Sequence, residues 1–126
     1  MRYLGIDFGS KRIGLAISDE EGKMAFPHSV ILNSKNTLDE IRDIIEKEKI
    51  ESIVIGESKD FAGKPNKIMV EIEEFRKMLA EKIKLPVLFE PEFMTSAQAE
   101  QTQGKNEMHD ASAAAIILQS YLDRLK

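Results

Sequence analysis

The sequence predicts an α/β domain built on a mixed central sheet of about five strands, with the first three strands antiparallel and helices flanking the sheet. The opening of the chain, as far as Leu32, contains apolar runs separated by turn residues, which is typical of antiparallel strands in series. From about Asn36 onward, segments with helical periodicity alternate with short apolar runs, which indicates helices packed on the faces of a sheet. With 126 residues, 42% of them hydrophobic, the chain is expected to form a single domain over residues 1–126.

The first three strands follow from alternating apolar residues and turn chemistry. Gly9 and Ser10 separate the first two strands and favour a two-residue hairpin turn within residues 8–11. Residues 24–32 predict a third strand, in which Pro27 favours an edge position or a bulge.

The later elements are predicted from periodicity. Asn36 or Thr37 is a plausible cap for a first helix, and the wholly apolar residues 52–56 are typical of a buried parallel strand. The rest of the pattern predicts a loop over residues 57–65, a long helix from about residue 66, a strand over 86–89, a helix over 95–103, and a last helix whose apolar face contains Ala111, Ala115, Leu118, Leu122 and Leu125.

Composition narrows the functional classes. The chain contains no cysteine, which excludes disulfides and thiolate zinc sites. No apolar run approaches membrane-spanning length and the N-terminus does not resemble a signal peptide, so a cytoplasmic protein with no membrane partner is expected. The net charge of −4 argues mildly against a dedicated nucleic-acid binder. A metal nuclease escapes this objection because bound divalent ions reverse the local sign of the charge.

Carboxylates follow several predicted strands. Asp7 ends the first strand, Glu57 follows the fourth, Glu90 and Glu92 follow the fifth, and Asp110 begins the last helix. Acids that converge from several elements could hold Mg²⁺ or Mn²⁺ for phosphodiester hydrolysis. Each acid also has a simpler explanation: Asp7 can bond the amides of its turn, Asp110 can stabilise a helix N-terminus, and the glutamates can be solvated loop charges. From the residues alone the choice stays open.

Two groups of cations accompany these acids. Lys11 and Arg12 lie just past the first turn, while Lys59 and Lys64 lie around the predicted second loop. They are candidates for contacts with nucleic-acid phosphates, and ordinary exposed surface charge is the alternative for all of them.

Two motifs at the ends of the chain resemble the YqgF (RuvX) family, small bacterial proteins with an RNase H-like fold. The family's opening D-x-G-x-x-R-I-G-x-A is matched by Asp7, Gly9, Arg12, Ile13, Gly14 and Ala16. Its closing D-x-x-A-A-x-x-I-L-Q-x-Y-L is matched by Asp110, Ala113, Ala114, Ile117, Leu118, Gln119, Tyr121 and Leu122. The middle of the chain departs from the pattern, because Pro91 and Phe93 replace the Asp and Arg of a D-E-R-x-T-T motif and residues 101–108 replace a basic stretch.

The resemblance implies a metal-dependent nuclease. Asp7, Glu92 and Asp110 would be the catalytic acids that bind Mg²⁺ or Mn²⁺, with Glu57 in reserve and Glu90 a weaker candidate. The implied substrate is nucleic acid: the 5′ end of pre-16S ribosomal RNA, or alternatively a branched DNA cleaved by a Holliday junction resolvase. The chain is expected to be a monomer or a weak homodimer. The missing cations leave a third alternative, a catalytically weak or inactive RNase H-like module that binds nucleic acid.

Overall fold

A computed structural model of the protein describes residues 1–59, 67–93 and 108–125, and for residues 58, 59, 67, 92, 93 and 108–110 it describes the backbone alone. Within these residues three strands come first, and helices then alternate with strands, as predicted for this part of the chain. They are β1 (Tyr3–Phe8), β2 (Arg12–Ser18), β3 (Ala25–Leu32), α1 (Thr37–Glu48), β4 (Ser52–Lys59), α2 (Lys67–Lys82), β5 (Val87–Phe93) and α3 (Met108–Arg124).

The strands form one mixed sheet in the order β3-β2-β1-β4-β5. β2 is antiparallel to both β1 and β3, whereas β4 is parallel to β1 and β5. β1 is therefore the central strand, and the carboxyl ends of β1, β4 and β5 meet at the same edge of the sheet. Both the mixed sheet and its antiparallel first three strands are confirmed.

Helices cover both faces of the sheet. Leu4 and Ile6 of β1 join the larger core, which is completed by α1 and α2 through residues such as Ile41 and Leu79. Val54 joins the smaller core on the opposite face, which is completed by α3. Because β1 and β4 are buried from both sides, they are almost wholly apolar over their buried lengths.

The third strand confirms the inference drawn from its proline. β3 is an edge strand, and its register with β2 shifts at Leu15 and Ala16, which pair with Ser29 and Pro27. His28 has no partner on β2 between these two pairs, so β3 contains a bulge. The bulge accommodates Pro27, which has no backbone N–H to donate to a regular ladder.

Several predicted boundaries are wrong. Phe8 pairs with Ile13, so four residues separate the last pair of the first hairpin and the turn is not a two-residue one. β4 continues to Lys59 and β5 to Phe93, because residues 57–59 pair with residues 91–93. Glu57, Glu90 and Glu92 therefore lie within strands, rather than in loops after them. The remainder of the predicted loop, residues 60–65, and the predicted helix 95–103 lie outside the described residues.

The helix ends and faces also differ in detail. Asn36 is the N-cap of α1 but makes no capping hydrogen bond with its side chain. The Thr37 hydroxyl instead accepts a hydrogen bond from the Ser34 amide (2.8 Å) and donates one to the Leu32 carbonyl (3.0 Å). On α3 the predicted apolar face is partly wrong, since Leu125 is 53% exposed while Ala114 and Ile117 are buried.

Candidate active site

Asp7 lies near the carboxyl end of the central strand and is half-buried there. It pairs with Gly14 of β2. Successive residues of a strand point to opposite faces, and Leu4 and Ile6 belong to the larger core. Asp7 therefore shares the α3 face of the sheet with Tyr3 and Gly5.

The contacts of α3 show how far along β1 this helix reaches. The rings of Tyr3 and Tyr121 are 5.8 Å apart, and two residues further along β1 a Cβ built on Gly5 would lie 2.7 Å from the Leu118 Cβ and 3.0 Å from the Ala114 carbonyl oxygen. As β1 advances toward Asp7, its contacts on α3 move toward the helix N-terminus. The two elements consequently run in opposite directions.

Simple geometry then locates the start of α3. Asp7 lies roughly 6–7 Å beyond Gly5 at the usual rise of a strand. At the helical rise this distance corresponds to about four residues counted back from the contact of Gly5 with Leu118 and Ala114. The part of α3 that is level with Asp7 therefore lies within residues 110–114, in the first turns of the helix, at the end of β1 that carries Asp7.

β5 contributes two glutamates with different surroundings. Glu90 is 3% exposed and its carboxylate accepts hydrogen bonds from the Ser120 hydroxyl (2.7 Å) and from the Arg124 guanidinium. Glu90 thus attaches α3 to β5 of the sheet. Glu92 lies two strand positions further on, paired with Ser58 of β4, nearer to the edge at which β1 and β4 end.

Glu57 lies on the other face of the sheet from Asp7. It follows Ile53 and Ile55 at intervals of two residues along β4, and both isoleucines belong to the larger core. The regular pairing of β4 with β5 contains no bulge that would reverse this alternation. The structure therefore does not bring the side chains of Glu57 and Asp7 together.

The cations Lys11, in the first loop, and Arg12, at the start of β2, lie at the Asp7 end of the sheet. Lys11 and Arg12 are both exposed. Asn33 holds this loop with two hydrogen bonds. Its side-chain amide Nδ2 donates to the Gly9 carbonyl (2.9 Å), and its backbone N–H donates to the Lys11 carbonyl (2.9 Å). No sequence pattern predicts that Asn33 holds this loop. The side chain of Lys59 and the whole of Lys64 lie outside the description.

The donor chemistry fits a hard divalent cation. Asp7 and the residues at positions 92 and 110 all carry carboxylates, and oxygen ligands are those that Mg²⁺ and Mn²⁺ prefer. Among the side chains that the structure describes, no group of three or more His, Cys, Asp or Glu residues is arranged to hold a metal ion. The side chains of Glu92 and Asp110 are not among them.

Two solved structures of resolvases have a similar architecture. Thermus thermophilus RuvC in complex with a Holliday junction substrate has a TM-score of 0.62 and 17% identity, over 99% of this chain and 96% of that one. The Fowlpox virus Holliday junction resolvase has a TM-score of 0.60 and 15% identity, over the whole of both chains. At such low identities the likeness concerns the fold, which is RNase H-like.

Sequence comparison then defines the family. The profile of the RuvX family, described as Holliday junction resolvase, matches residues 1–124. A protein of Sulfurihydrogenibium sp. named "Putative pre-16S rRNA nuclease" is 39% identical over 98% of this chain and 91% of its own length. A protein of the same name from Syntrophomonas wolfei is 35% identical over 98% of this chain and 94% of its own. The chain belongs to the RuvX family, a family of nucleases that act on phosphodiester bonds.

None of the helices within the described ranges combines the length and apolar character that a membrane crossing requires.

Proposed function

We propose that this protein is a divalent-metal-dependent endonuclease that matures the 5′ end of pre-16S ribosomal RNA, with Asp7, Glu92 and Asp110 as its catalytic acids. The observation that carries the proposal is the position of Asp7 at the carboxyl end of the central strand, on the face of the sheet where the first turns of α3 lie. The carboxylates of Asp7, of position 92 on β5 and of position 110 on α3 are the oxygen ligands that Mg²⁺ and Mn²⁺ prefer.

The roles of the residues follow from their positions. Asp7, Glu92 and Asp110 would hold Mg²⁺ or Mn²⁺, which when bound activates water and stabilises the charge of the leaving oxygen. Lys11 and Arg12 would neutralise and position backbone phosphates beside Asp7. The alternation of β4 favours Glu92 over Glu57 as the second acid, because Glu57 faces the other layer.

Two observations favour ribosomal RNA as the substrate. Two relatives that match 98% of the chain carry a pre-16S rRNA nuclease name. The net charge of −4 suits a protein without the wide basic surfaces that gripping a branched DNA requires. The description of the family as Holliday junction resolvase keeps junction cleavage as the second candidate. We propose a cytoplasmic protein that is a monomer or a weak homodimer.

The test is cleavage of a pre-16S 5′-leader RNA and of a four-way DNA junction, each in Mg²⁺, Mn²⁺ or EDTA. Asp7→Asn is expected to lower cleavage by at least about a hundredfold, since even outer partners of metal ligands contribute 10–100-fold. Asp43→Asn is the matched control, because Asp43 is exposed on α1 in the opposite layer.

Each outcome separates the candidates. Metal-dependent cleavage of the RNA that is lost in Asp7→Asn and kept in Asp43→Asn is the expected result. Cleavage of the junction alone would replace ribosomal RNA with branched DNA as the substrate. No cleavage of either nucleic acid by folded protein would overturn the enzymatic proposal in favour of a binding module.

A further inference from the structure

We infer that Gly5 is a positioning residue of the active site: the absence of a side chain at Gly5 sets the distance between the Asp7 strand and the start of α3. The inference rests on the proposed function, because it assigns Gly5 to the geometry of the proposed metal ligands. Gly5 would act through the position of α3, since it has no side chain that could bind a metal ion.

The space above Gly5 is filled by α3. A Cβ built on Gly5 would lie 2.7 Å from the Leu118 Cβ, 3.0 Å from the Ala114 carbonyl oxygen and 3.4 Å from the Leu118 Cδ2. Two of these three atoms are fixed to the helix backbone and cannot rotate away. A methyl group at Gly5 can therefore be accommodated only if the helix and the strand separate.

The required movement can be sized. Carbon atoms pack best about 3.5–4.0 Å apart, so α3 would have to move by roughly 1 Å. The site is sensitive to such a movement because Gly5 is two residues before Asp7 on the same face of β1, and position 110 is one helical turn before Ala114. A shift of α3 at Gly5 would therefore change the distance between Asp7 and position 110.

Other contacts of α3 would oppose a compensating slide. Near its C-terminal end, Ser120 and Arg124 bind Glu90 of β5. The side chain of Gln119 accepts a hydrogen bond from the Ala25 amide (2.9 Å) and donates one to the Lys23 carbonyl (3.0 Å). With the helix held at both sides from Gln119 onward, it would respond to a methyl group at Gly5 by tilting the residues before Gln119, including Leu118 and Ala114, away from β1.

The experiment compares Gly5→Ala with wild type, Asp7→Asn and two control variants in the larger core, Ile72→Val and Leu79→Ala. Ile72 and Leu79 lie on α2, on the other side of the sheet, and the two substitutions bracket a range of core destabilisation. Three readouts are taken: folding by circular dichroism, Mn²⁺ affinity by electron paramagnetic resonance, and a crystal structure of Gly5→Ala. The dependence of RNA cleavage on Mn²⁺ concentration is recorded alongside.

For folded Gly5→Ala we expect α3 to be displaced from β1 and the Mn²⁺ concentration for half-saturation to rise at least about tenfold, as for the loss of a group that orients metal ligands. The control variants should keep wild-type Mn²⁺ affinity whatever stability they lose. If Gly5→Ala does not fold, Ala114→Val replaces it, because Ala114 is fully buried in the α3 contact and added methyl groups would lift the helix from the other side.

Wild-type Mn²⁺ affinity in the folded displacing variant, or an undisplaced α3, would overturn the inference. An equal loss of affinity in the control variants would also overturn it, since the effect would then be one of stability alone. Failure of the proposed function has a different signature: Asp7→Asn would bind Mn²⁺ as wild type does, whatever the position of α3.

Discussion

At the scale of single residues, Asp19 shows how one carboxylate secures a turn far from the candidate site. Its Oδ1 accepts hydrogen bonds from the backbone amides of Lys23 (2.8 Å) and Met24 (3.3 Å), which closes the connection between β2 and β3. The hydrogen bond from Lys23 is the largest cause that holds the pKa of Asp19 below its ordinary value of 3.8, and desolvation opposes it. The ionised form is therefore the one that the fold favours.

The sign of the resulting pH dependence follows from this shift. Since the folded pKa is lower than the unfolded pKa, the stabilisation is present above the unfolded value and is lost as the pH falls through the folded value. We predict that Asp19 titrates below 3.8 in the folded protein, measured by NMR of its carboxyl carbon. In urea unfolding, Asp19→Asn should lose less stability than wild type between pH 5 and pH 2. A folded-state titration at or above 3.8 would contradict the prediction.

Residues of the candidate site differ in how far the sequence reveals them. Asp7 is predictable because a charge at the end of an apolar strand needs an explanation, and the family motif supplies one. Asn33 is not predictable, because its importance depends on a contact with Gly9, which is 24 residues away in the chain. The different positions of Glu57 and Asp7 also require the structure, since the face of a residue depends on the true extent of its strand.

At the scale of secondary-structure elements, the attachment of α3 to β5 is the contact most open to measurement. Glu90 is 3% exposed and is the acceptor for both Ser120 and Arg124. Arg124→Ala would leave this buried carboxylate with the Ser120 hydroxyl and no paired cation. We expect a loss of roughly 1–2 kcal/mol in the free energy of unfolding, at the low end for charged hydrogen bonds because the Arg124 side chain is 58% exposed.

The double variant Glu90→Gln/Arg124→Ala provides the control for this prediction. It removes the buried charge together with its partner, so it should recover part of the stability lost in Arg124→Ala. Urea unfolding of both variants at pH 7 measures the difference. A double variant less stable than Arg124→Ala would show that the Glu90 charge stabilises the fold without Arg124.

The ends of a strand could be predicted only where its backbone pairing ends together with its run of buried apolar residues. β4 and β5 are recognisable as apolar runs, but the runs stop at Gly56 and Phe89, where the chain becomes polar. Both strands continue because residues 57–59 and 91–93 satisfy one another's backbone hydrogen bonds. Such pairing joins segments distant in sequence and leaves no periodic pattern in either one. Helices α1 and α2 were easier to predict, because the helical spacing of their apolar residues is a local property of the sequence.

At the scale of the whole molecule, charge is arranged to suit an anionic substrate despite the acidic total. The net charge is −4, yet Lys11 and Arg12 are exposed at the edge of the sheet that carries Asp7. Asn33 holds the loop that contains Lys11 and leads into Arg12 of β2, so both cations are presented from an anchored backbone. We therefore expect binding of RNA to depend on a few local contacts with phosphates rather than on the overall field of the protein.

The salt dependence of RNA binding measures this contribution. In an Asp7→Asn background, which we expect to prevent cleavage, Lys11→Ala/Arg12→Ala should lower the affinity for the 5′-leader RNA. It should also reduce the slope of log K against log salt by about 1.4, since each phosphate contact to a single strand contributes about 0.7. Lys47→Ala/Lys77→Ala removes the same charge from exposed positions on α1 and α2, on the other side of the sheet, and should leave the slope unchanged. Because the two double variants have the same net charge, an equal reduction in both would mean that total charge governs binding and that the loop beside Asp7 does not grip the RNA.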